Sequence, residues 1–254
     1  MKIAIFALLC ILALPSRAQQ ITVAAAADLR SAFDEIGRHY EAETSSQLKL
    51  VYGASGNLFQ QIQNGAPFDL FFSANADYPK KLDAAGLALP GSYYVYARGR
   101  LVLFTSSSSS LDLNSGLKVL LDPAVRRIAI ADPGHAPYGQ AAVAALKSQN
   151  LYDQVSRKIV VGESVSQAAS FVISGAADIG VVAKSLAVLP SHGAQTRFVE
   201  IPAGDYPAIL QACVILKSSK QQLLARRFLT YLQGPEASKV LQSYGFQIPS
   251  AKAP

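Results

Sequence analysis

Short apolar runs alternate with segments of helical periodicity along most of the chain. Strand-like runs at 21–26 and 48–52 flank a segment, 29–40, where apolar residues recur at i, i+4, i+7 and i+11. That spacing marks one face of a helix. Further strands are predicted at 69–72, 128–131, 158–161 and 178–182, and further helices around 58–62, at 77–85, from about 138, from about 165, at 219–232 and after Gly234. This alternation predicts an α/β fold.

Two long extended stretches interrupt the alternation. The first, 93–105, is broken in its middle by Arg98-Gly99-Arg100, and the second covers 197–216. We expect both to cross between two lobes, with the second lobe inserted into the first. The predicted segments are a signal peptide at 1–18, lobe 1 at 19–99 plus 201–254, and lobe 2 at 100–200. Ligands in open α/β sheets bind beyond the carboxyl ends of strands, so the cleft between the lobes is the expected site.

Residues 1–18 have the pattern of a secretory signal peptide. Lys2 supplies the positive start, 3–14 form an apolar run, and Ser16-Arg17-Ala18 has the small-x-small form of a cleavage site. The apolar run is too short to span a bilayer, which takes about 20 residues. A lipidated cysteine at Cys10 is not expected, because the residue before it is not small. The sequence therefore predicts export to the periplasm.

Net charge and cysteine content indicate which classes of function and which kind of cysteine to expect. The formal net charge of +6 becomes +4 when Lys2 and Arg17 are removed with the signal, and the remaining basic residues form no dense stripe. Nucleic-acid binding is therefore not expected. After the signal, Cys213 is the only cysteine, and it lies in the apolar run AILQACVIL. We expect it to be a buried thiol in a strand.

Strand-to-helix junctions carry the candidate binding residues. A helix that begins directly after a strand presents unpaired N–H groups and the positive end of its dipole, which suits an anion. At the first junction, Asp28 is predicted to cap the next helix, and direct contact with a ligand is the alternative. At the second, Gly53 to Gly56, Ser55 adds a hydroxyl and the glycines permit close approach. An ordinary N-cap is the alternative for Ser55.

The third junction places Tyr138 at the start of a helix, after Asp132-Pro133-Gly134. Its side chain is expected either at a binding site or in the core, and His135 is expected on a surface loop. The other histidines, His39 and His192, lie far from it in sequence, and no metal-ligand spacing is present. There is also no G-x-S-x-G elbow and no Walker P-loop. The sequence predicts no catalytic residue and no cofactor.

The fourth junction has the spacing of a capping box. Ser164 and Gln167 form the S-x-x-Q pattern, which leaves the N–H of Val165 or Ser166 to face a cleft. Together, the four junctions predict hydrogen-bond donors that converge from both lobes. No Lys or Arg occurs at 50–79, so an anion at the second junction would be held by neutral donors.

These junctions resemble those of the periplasmic molybdate-binding proteins of ABC transporters. The matching blocks are ITVAAAADLRSAFDEI, YGASGNLFQQIQNGAPFDLFFSA, IAIADPGHAPYGQAA, VGESVSQAASFVISGAADIGVVA and FLTYLQGPEASKVLQSYGF. They cover nearly all of the chain after the signal and occur in the same order. The resemblance implies a two-lobed type II periplasmic-binding-protein fold. In that fold each lobe is a mixed sheet flanked by helices, and the lobes close over one oxyanion.

The resemblance also implies a set of molybdate-binding residues. They are Ser55 (hydroxyl and N–H), Val165 and Tyr138 (backbone), and Ala27 and Asp28 (backbone). Two positions depart from the family pattern. The usual serine after the first strand is Ala27 here, and a tyrosine that some members offer is Ala183. The site should therefore have fewer hydroxyl donors than is usual, with Ser55 as the main side-chain donor.

The expected function is capture of molybdate or tungstate and delivery to the membrane permease of an ABC importer. The resemblance implies a periplasmic monomer that binds one oxyanion and does not turn it over. Both ions are dianions without protons near neutral pH, so they need donors on all sides and no acceptor. Two alternatives remain. The same fold could bind a phosphate- or arsenate-type oxyanion whose proton Asp28 accepts, or the chain could be an exported enzyme.

Overall fold

The computed structural model describes residues 19–188 and 195–249. The predicted signal peptide at 1–18 and His192 lie outside the described residues. The strands are β1 Gln19–Ala26, β2 Ser46–Gly53, β3 Leu70–Ser73, β4 Tyr94–Gly99, β5 Leu101–Ser106, β6 Ile128–Ala131, β7 Ile159–Gly162, β8 Ile179–Ala183, β9 Thr196–Glu200 and β10 Ile209–Ile215. The α-helices are α1 Arg30–Glu43, α2 Ser55–Gln63, α3 Asp77–Ala84, α4 Pro137–Ser148, α5 Tyr152–Val155, α6 Val165–Ile173, α7 Lys184–Ala187, α8 Gln222–Leu232 and α9 Pro235–Ser243.

Five strands form the first sheet, in the order β2-β1-β3-β10-β4. β1 pairs in parallel with β2 and β3, whereas β10 runs antiparallel to β3 and β4. We call this sheet, with the helices α1, α2, α3, α8 and α9 that pack around it, lobe 1. Its three parallel strands all end at the same edge, which is where a ligand site is expected in such a sheet.

The second sheet repeats the plan of the first, in the order β7-β6-β8-β5-β9. β6 pairs in parallel with β7 and β8, and β5 runs antiparallel to β8 and β9. We call this sheet and the helices α4 to α7 lobe 2. Both sheets are mixed and flanked by helices, so the fold class predicted from the sequence is confirmed.

The chain passes between the two sheets in two places. From β4 to β5 only Arg100 intervenes, and from β9 to β10 the connection is 201–208. These passages lie in the two extended stretches recognised in the sequence. The break at Arg98-Gly99-Arg100 is where one strand leaves the first sheet and the next enters the second.

Several short helical segments were not predicted, and two of them show why. A 3₁₀ segment covers Leu113–Leu121 and is interrupted at Gly116, whose φ of 61° and ψ of −145° are not helical. Glycine adopts such a conformation easily, but it breaks the 3.6-residue period on which helix prediction depends. The other, α5, has 4 residues, which is too short to show a period.

Aromatic side chains organise the core of lobe 1. Phe33 on α1 contacts Phe72 on β3 edge-to-face at 4.9 Å between ring centroids, and Phe228 on α8 at 6.2 Å. Cys213 on β10 is fully buried and unpaired, as predicted. Within the described residues, no helix combines the length and apolar character that crossing a membrane requires.

Candidate functional site

A small cavity lies where the parallel strands of both sheets end. Its walls are the residues that end or follow β1, β2 and β3 in lobe 1, and those that follow β6 and β7 in lobe 2. The lining residues are Ala26, Ala27, Asp28, Gly53, Ala54, Ser55, Ala74, Ala136, Pro137, Tyr138 and Val165. The cavity has a volume of about 190 Å³ with its open mouth included. The part of it that admits the centre of a water-sized sphere is about 10 Å³, roughly what one such sphere needs, so the cavity suits a small ion.

The structure brings all five predicted site residues to this cavity. Ala27, Asp28 and Ser55 reach it from lobe 1, and Tyr138 and Val165 reach it from lobe 2. The two groups are far apart in the chain. They meet because the carboxyl ends of the parallel strands in the two sheets face each other across the cleft.

Three helices begin at the cavity. Ser55 is the first residue of α2, Tyr138 is the second residue of α4, and Val165 is the first residue of α6. N–H groups in the first turn of a helix have no acceptor within that helix. The positive ends of three helix dipoles therefore converge here, and each favours negative charge.

Ser55 is the cavity residue with an alcohol hydroxyl, and its side chain is buried. Its Oγ accepts a hydrogen bond from the N–H of Ala74 at 3.0 Å. Because Oγ acts as the acceptor in this bond, the hydroxyl proton is left to donate to a ligand. The alternative of a Ser55 N-cap is wrong, since Ala54 occupies the N-cap position and no side chain caps α2.

The prediction that Asp28 caps a helix is also wrong. Asp28 lies inside a 3₁₀ turn, Ala27–Leu29, that precedes α1, and no side chain caps either segment. Its Oδ2 instead accepts a hydrogen bond from Nε2 of Gln211 at 2.6 Å. The 3₁₀ turn fills the place where the cap was expected, so the Asp28 side chain turns toward β10 and away from the start of α1.

Burial makes the Asp28 carboxylate costly to ionise. The residue is 1% exposed, and burial raises the pKa of its carboxyl from 3.8 to about 6, against the hydrogen bond from Gln211 that favours ionisation. Its second oxygen, Oδ1, is buried and has no hydrogen-bond partner among the described residues. One carboxyl oxygen of a residue that lines the cavity therefore has unused hydrogen-bonding capacity.

Two serine hydroxyls of lobe 2 donate hydrogen bonds to the backbone of the first strand-to-helix junction of lobe 1, at Ala27 and Asp28. Ser166 Oγ donates to the carbonyl of Ala27 at 2.7 Å, and Ser185 Oγ donates to the carbonyl of Asp28 at 2.8 Å. These bonds engage the carbonyl groups of the Ala27–Asp28 turn and cross the cleft. The lobes are therefore closed on each other in this structure.

Gly56 makes another contact between the lobes. Its N–H donates to the carbonyl of His135 at 2.9 Å, and a Cβ added at Gly56 would lie 2.8 Å from that carbonyl oxygen. The predicted close approach at this glycine is therefore confirmed, but it is to the backbone of lobe 2. His135 is half-buried in the loop before α4 and contributes its carbonyl to this contact.

Tyr138 is a buried residue that also lines the cavity. It lines the cavity at the start of α4, and its side chain is 1% exposed. Its hydroxyl oxygen accepts a hydrogen bond from Nε2 of Gln211 at 3.1 Å. Burial, followed by the nearby Asp28 carboxyl, raises the pKa of the Tyr138 hydroxyl well above its usual value, so the hydroxyl stays neutral.

The predicted capping box before α6 is present. Ser164 Oγ accepts from the N–H of Gln167 at 3.3 Å, and the Gln167 side chain accepts from the N–H of Glu163 at 2.6 Å. The second bond reaches one residue before the cap, where a standard box would use the N–H of Ser164. Neither bond uses the N–H of Val165, a residue that lines the cavity.

Gln211 is a site residue that the sequence analysis missed. It is fully buried in β10, where the pairing with β4 shifts register between Gln211 and Ala212. Besides its bonds to Asp28 and Tyr138, its Oε1 accepts from the Tyr96 hydroxyl at 2.8 Å. The sequence did contain one indication of this role, because Gln211 is the one amide side chain in the apolar run AILQACVIL. A polar side chain that is buried in a strand needs hydrogen-bond partners.

The cavity can bind an anion through neutral donors. Its lining includes no Lys, Arg or His, and the described ranges 19–188 and 195–249 hold no group of three or more His, Cys, Asp or Glu that could bind a metal ion. A wider depression, about 700 Å³ with its open mouth included, is lined by both lobes and shares Ala74 and Pro137 with the cavity. The donors therefore lie at the small end of a groove between the lobes.

A family model of bacterial extracellular solute-binding proteins matches residues 21–247. The chain belongs to this family. It is 36% identical over 235 residues to the molybdate-binding protein ModA of Rhodobacter capsulatus, covering 92% of this chain and 91% of that protein. The solved periplasmic molybdate-binding protein of Azotobacter vinelandii superposes with a TM-score of 0.86 at 34% identity, covering 91% of this chain and all of the other. These matches confirm the resemblance recognised in the sequence.

Solved structures with lower sequence identity are similar to this chain in fold alone. The sulfate-binding protein SubI of Mycobacterium tuberculosis superposes with a TM-score of 0.74 at 16% identity, over 92% of this chain and 88% of that chain. Ala27 and Ala183 are the two positions at which the sequence was expected to depart from the pattern of the molybdate-binding proteins. Ala27 lines the cavity, whereas Ala183, the N-cap residue of α7, is buried and does not line it.

Proposed function

We propose that this solute-binding protein captures molybdate or tungstate outside the cytoplasm and delivers it to an ABC importer. The observation that carries the proposal is the convergence of three helix N-termini and the Ser55 hydroxyl on one small cavity between the lobes. A tetrahedral dianion needs donors from several directions, and charge-assisted hydrogen bonds of this kind contribute about 1.5–3 kcal/mol each.

The proposed contacts follow the geometry of the cavity. Ser55 donates through its hydroxyl and N–H, and Tyr138 and Val165 donate through backbone N–H groups. At the first junction, Ala27 and Asp28 face the ion through the backbone, because Ala27 has no hydroxyl and the Asp28 carboxyl has no role as a donor when ionised. Charge neutralisation comes from helix dipoles, since no cationic side chain lines the cavity.

We also propose where the protein works, which partner it has and in which oligomeric state it acts. Residues 1–18 act as a signal for export to the periplasm, the partner is a membrane permease, and the protein works as a monomer without catalysis. We assign 19–99 plus 201–254 to lobe 1 and 100–200 to lobe 2. Support comes from the family match, the names of the relatives, and the two passages of the chain between the sheets.

Titration calorimetry of residues 19–254 tests the function. Molybdate, tungstate, sulfate and phosphate are titrated separately at the same pH and ionic strength. We expect 1:1 binding of molybdate or tungstate with a Kd below about 10 µM, which corresponds to roughly 7 kcal/mol. Failure to bind either ion at that level contradicts the proposal.

One observation favours a second candidate, a protonated oxyanion of the phosphate or arsenate type. The buried Oδ1 of Asp28 has no partner within the described residues, and an ionised carboxylate there could accept a hydrogen bond from a protonated ligand. Molybdate offers no such proton. Phosphate competition against molybdate in the wild type and in Asp28→Asn separates the two. Competition that is strong in the wild type and lost in the variant supports the second candidate.

A further inference from the structure

The Tyr138 side chain reaches from lobe 2 into lobe 1. It begins on α4, beside the cavity, and its hydroxyl oxygen meets Nε2 of Gln211 on β10. Gln211 is itself held, because its Nε2 also donates to Asp28 at 2.6 Å and its Oε1 accepts from Tyr96 at 2.8 Å. The Tyr138 hydroxyl therefore contacts a side chain of lobe 1 that its hydrogen bonds to Asp28 and Tyr96 already hold in position.

Gly99 provides the space for this hydroxyl. It is the last residue of β4, directly before the chain passes to lobe 2. A Cβ added to Gly99 would lie 2.1 Å from the Tyr138 hydroxyl oxygen and 2.9 Å from Nε2 of Gln211. Gly99 is paired with Ile209 across the sheet, so its backbone has little freedom to withdraw. Its φ is not positive, so the need for glycine here is one of space.

We propose that Tyr138 is a closure latch, and that seating its hydroxyl against Gly99 and Gln211 holds its own backbone N–H at the oxyanion cavity. The side chain and the N–H belong to one residue at the first turn of α4. When the hydroxyl is seated in lobe 1, the start of α4 is held against the cavity. Gly99 and Gln211 are thus positioning residues that act on the ligand through Tyr138. The proposal rests on the proposed oxyanion-binding function.

Gly99→Ala tests the latch, with Gly204→Ala as the matched control. Gly204 is exposed, and a Cβ there would meet nothing within 4 Å. Overpacking of this size should make molybdate binding about 10- to 100-fold weaker in Gly99→Ala. X-ray scattering at saturating molybdate should show a larger radius of gyration than for the wild type. Gly204→Ala should match the wild type in both measurements.

A second-site variant separates the latch from a general structural defect. Tyr138→Phe removes the hydroxyl oxygen at 2.1 Å from the added Cβ and keeps the ring carbon Cζ at 2.9 Å. Because the most severe overlap is relieved, Gly99→Ala/Tyr138→Phe should bind molybdate at least threefold more tightly than Gly99→Ala alone. Tyr138→Phe by itself should bind about 3- to 10-fold more weakly than the wild type, because it loses one buried hydrogen bond. This single variant decides the question if Gly99→Ala does not fold.

The latch is overturned if Gly99→Ala binds within threefold of the wild type, or if the double variant gains nothing over it. A Tyr138→Phe variant with wild-type affinity overturns it as well. Failure of the proposed function looks different, since the wild type itself would then bind neither molybdate nor tungstate.

Discussion

Asp28→Asn is the substitution whose effect can be worked out most fully from the structure. Burial raises the pKa of the Asp28 carboxyl from 3.8 to about 6. At 1.36 kcal/mol for each pH unit, the ionised folded protein is less stable by about 3 kcal/mol than it would be with an unperturbed carboxyl. An asparagine keeps an oxygen for Gln211 and carries no charge, so it removes this cost.

The sign of the pH dependence follows from the direction of the pKa change. Above pH 6 the carboxyl is ionised in both the folded and the unfolded chain, and the full cost is present. Below 3.8 it is neutral in both, and the cost is absent. At pH 4 the unfolded carboxyl is still more than half ionised, so lowering the pH from 8 to 4 should stabilise the wild type relative to Asp28→Asn by about 2.4 kcal/mol. A bound dianion next to Asp28 would raise its pKa further and enlarge the effect.

Urea unfolding at several pH values, followed by circular dichroism, measures this difference. Asp83→Asn serves as the control, because Asp83 is an exposed carboxylate on α3. The free energies of unfolding of Asp28→Asn and the wild type should converge or cross as the pH falls, while those of the control stay parallel to the wild type. Parallel curves for Asp28→Asn from pH 8 to 4 would refute the argument that burial penalises this charge.

Three further outcomes follow from contacts in the structure. Ser55→Ala removes the proposed hydroxyl donor to the oxyanion and the acceptor for the N–H of Ala74. Calorimetry should therefore show that molybdate binds about 10- to 100-fold more weakly. Unchanged affinity would exclude Ser55 as a donor. Ser166→Ala loses the bond to the Ala27 carbonyl across the cleft, and should weaken binding about 3- to 10-fold with little change in Tm. Cys213 is buried, and burial raises the pKa of its thiol. A thiol reagent at pH 8 should therefore label Cys213 only when the protein is unfolded in urea. Rapid labelling of the native protein would contradict the fold.

Much of the fold and the identity of the candidate site could be predicted because the signals are local. Apolar periodicity marks strands and helices within windows of about a dozen residues. A strand that runs directly into a helix, as at Ser55 and Val165, already implies free N–H groups at the junction. The capping box of Ser164 and Gln167 was readable for the same reason, since its members are three residues apart.

The tertiary structure alone decided how side chains are used at these junctions. Asp28 looked like a helix cap because the pattern of neighbouring residues suits one, but its partner, Gln211, is 183 positions away. The space that Gly99 leaves for Tyr138 likewise depends on how α4 of lobe 2 packs against β4 of lobe 1. The sequence by itself thus determined which strand ends and helix starts line the cleft. The packing of the two sheets against each other decided which buried polar groups meet, because hydrogen-bond partners distant in the chain leave no local pattern.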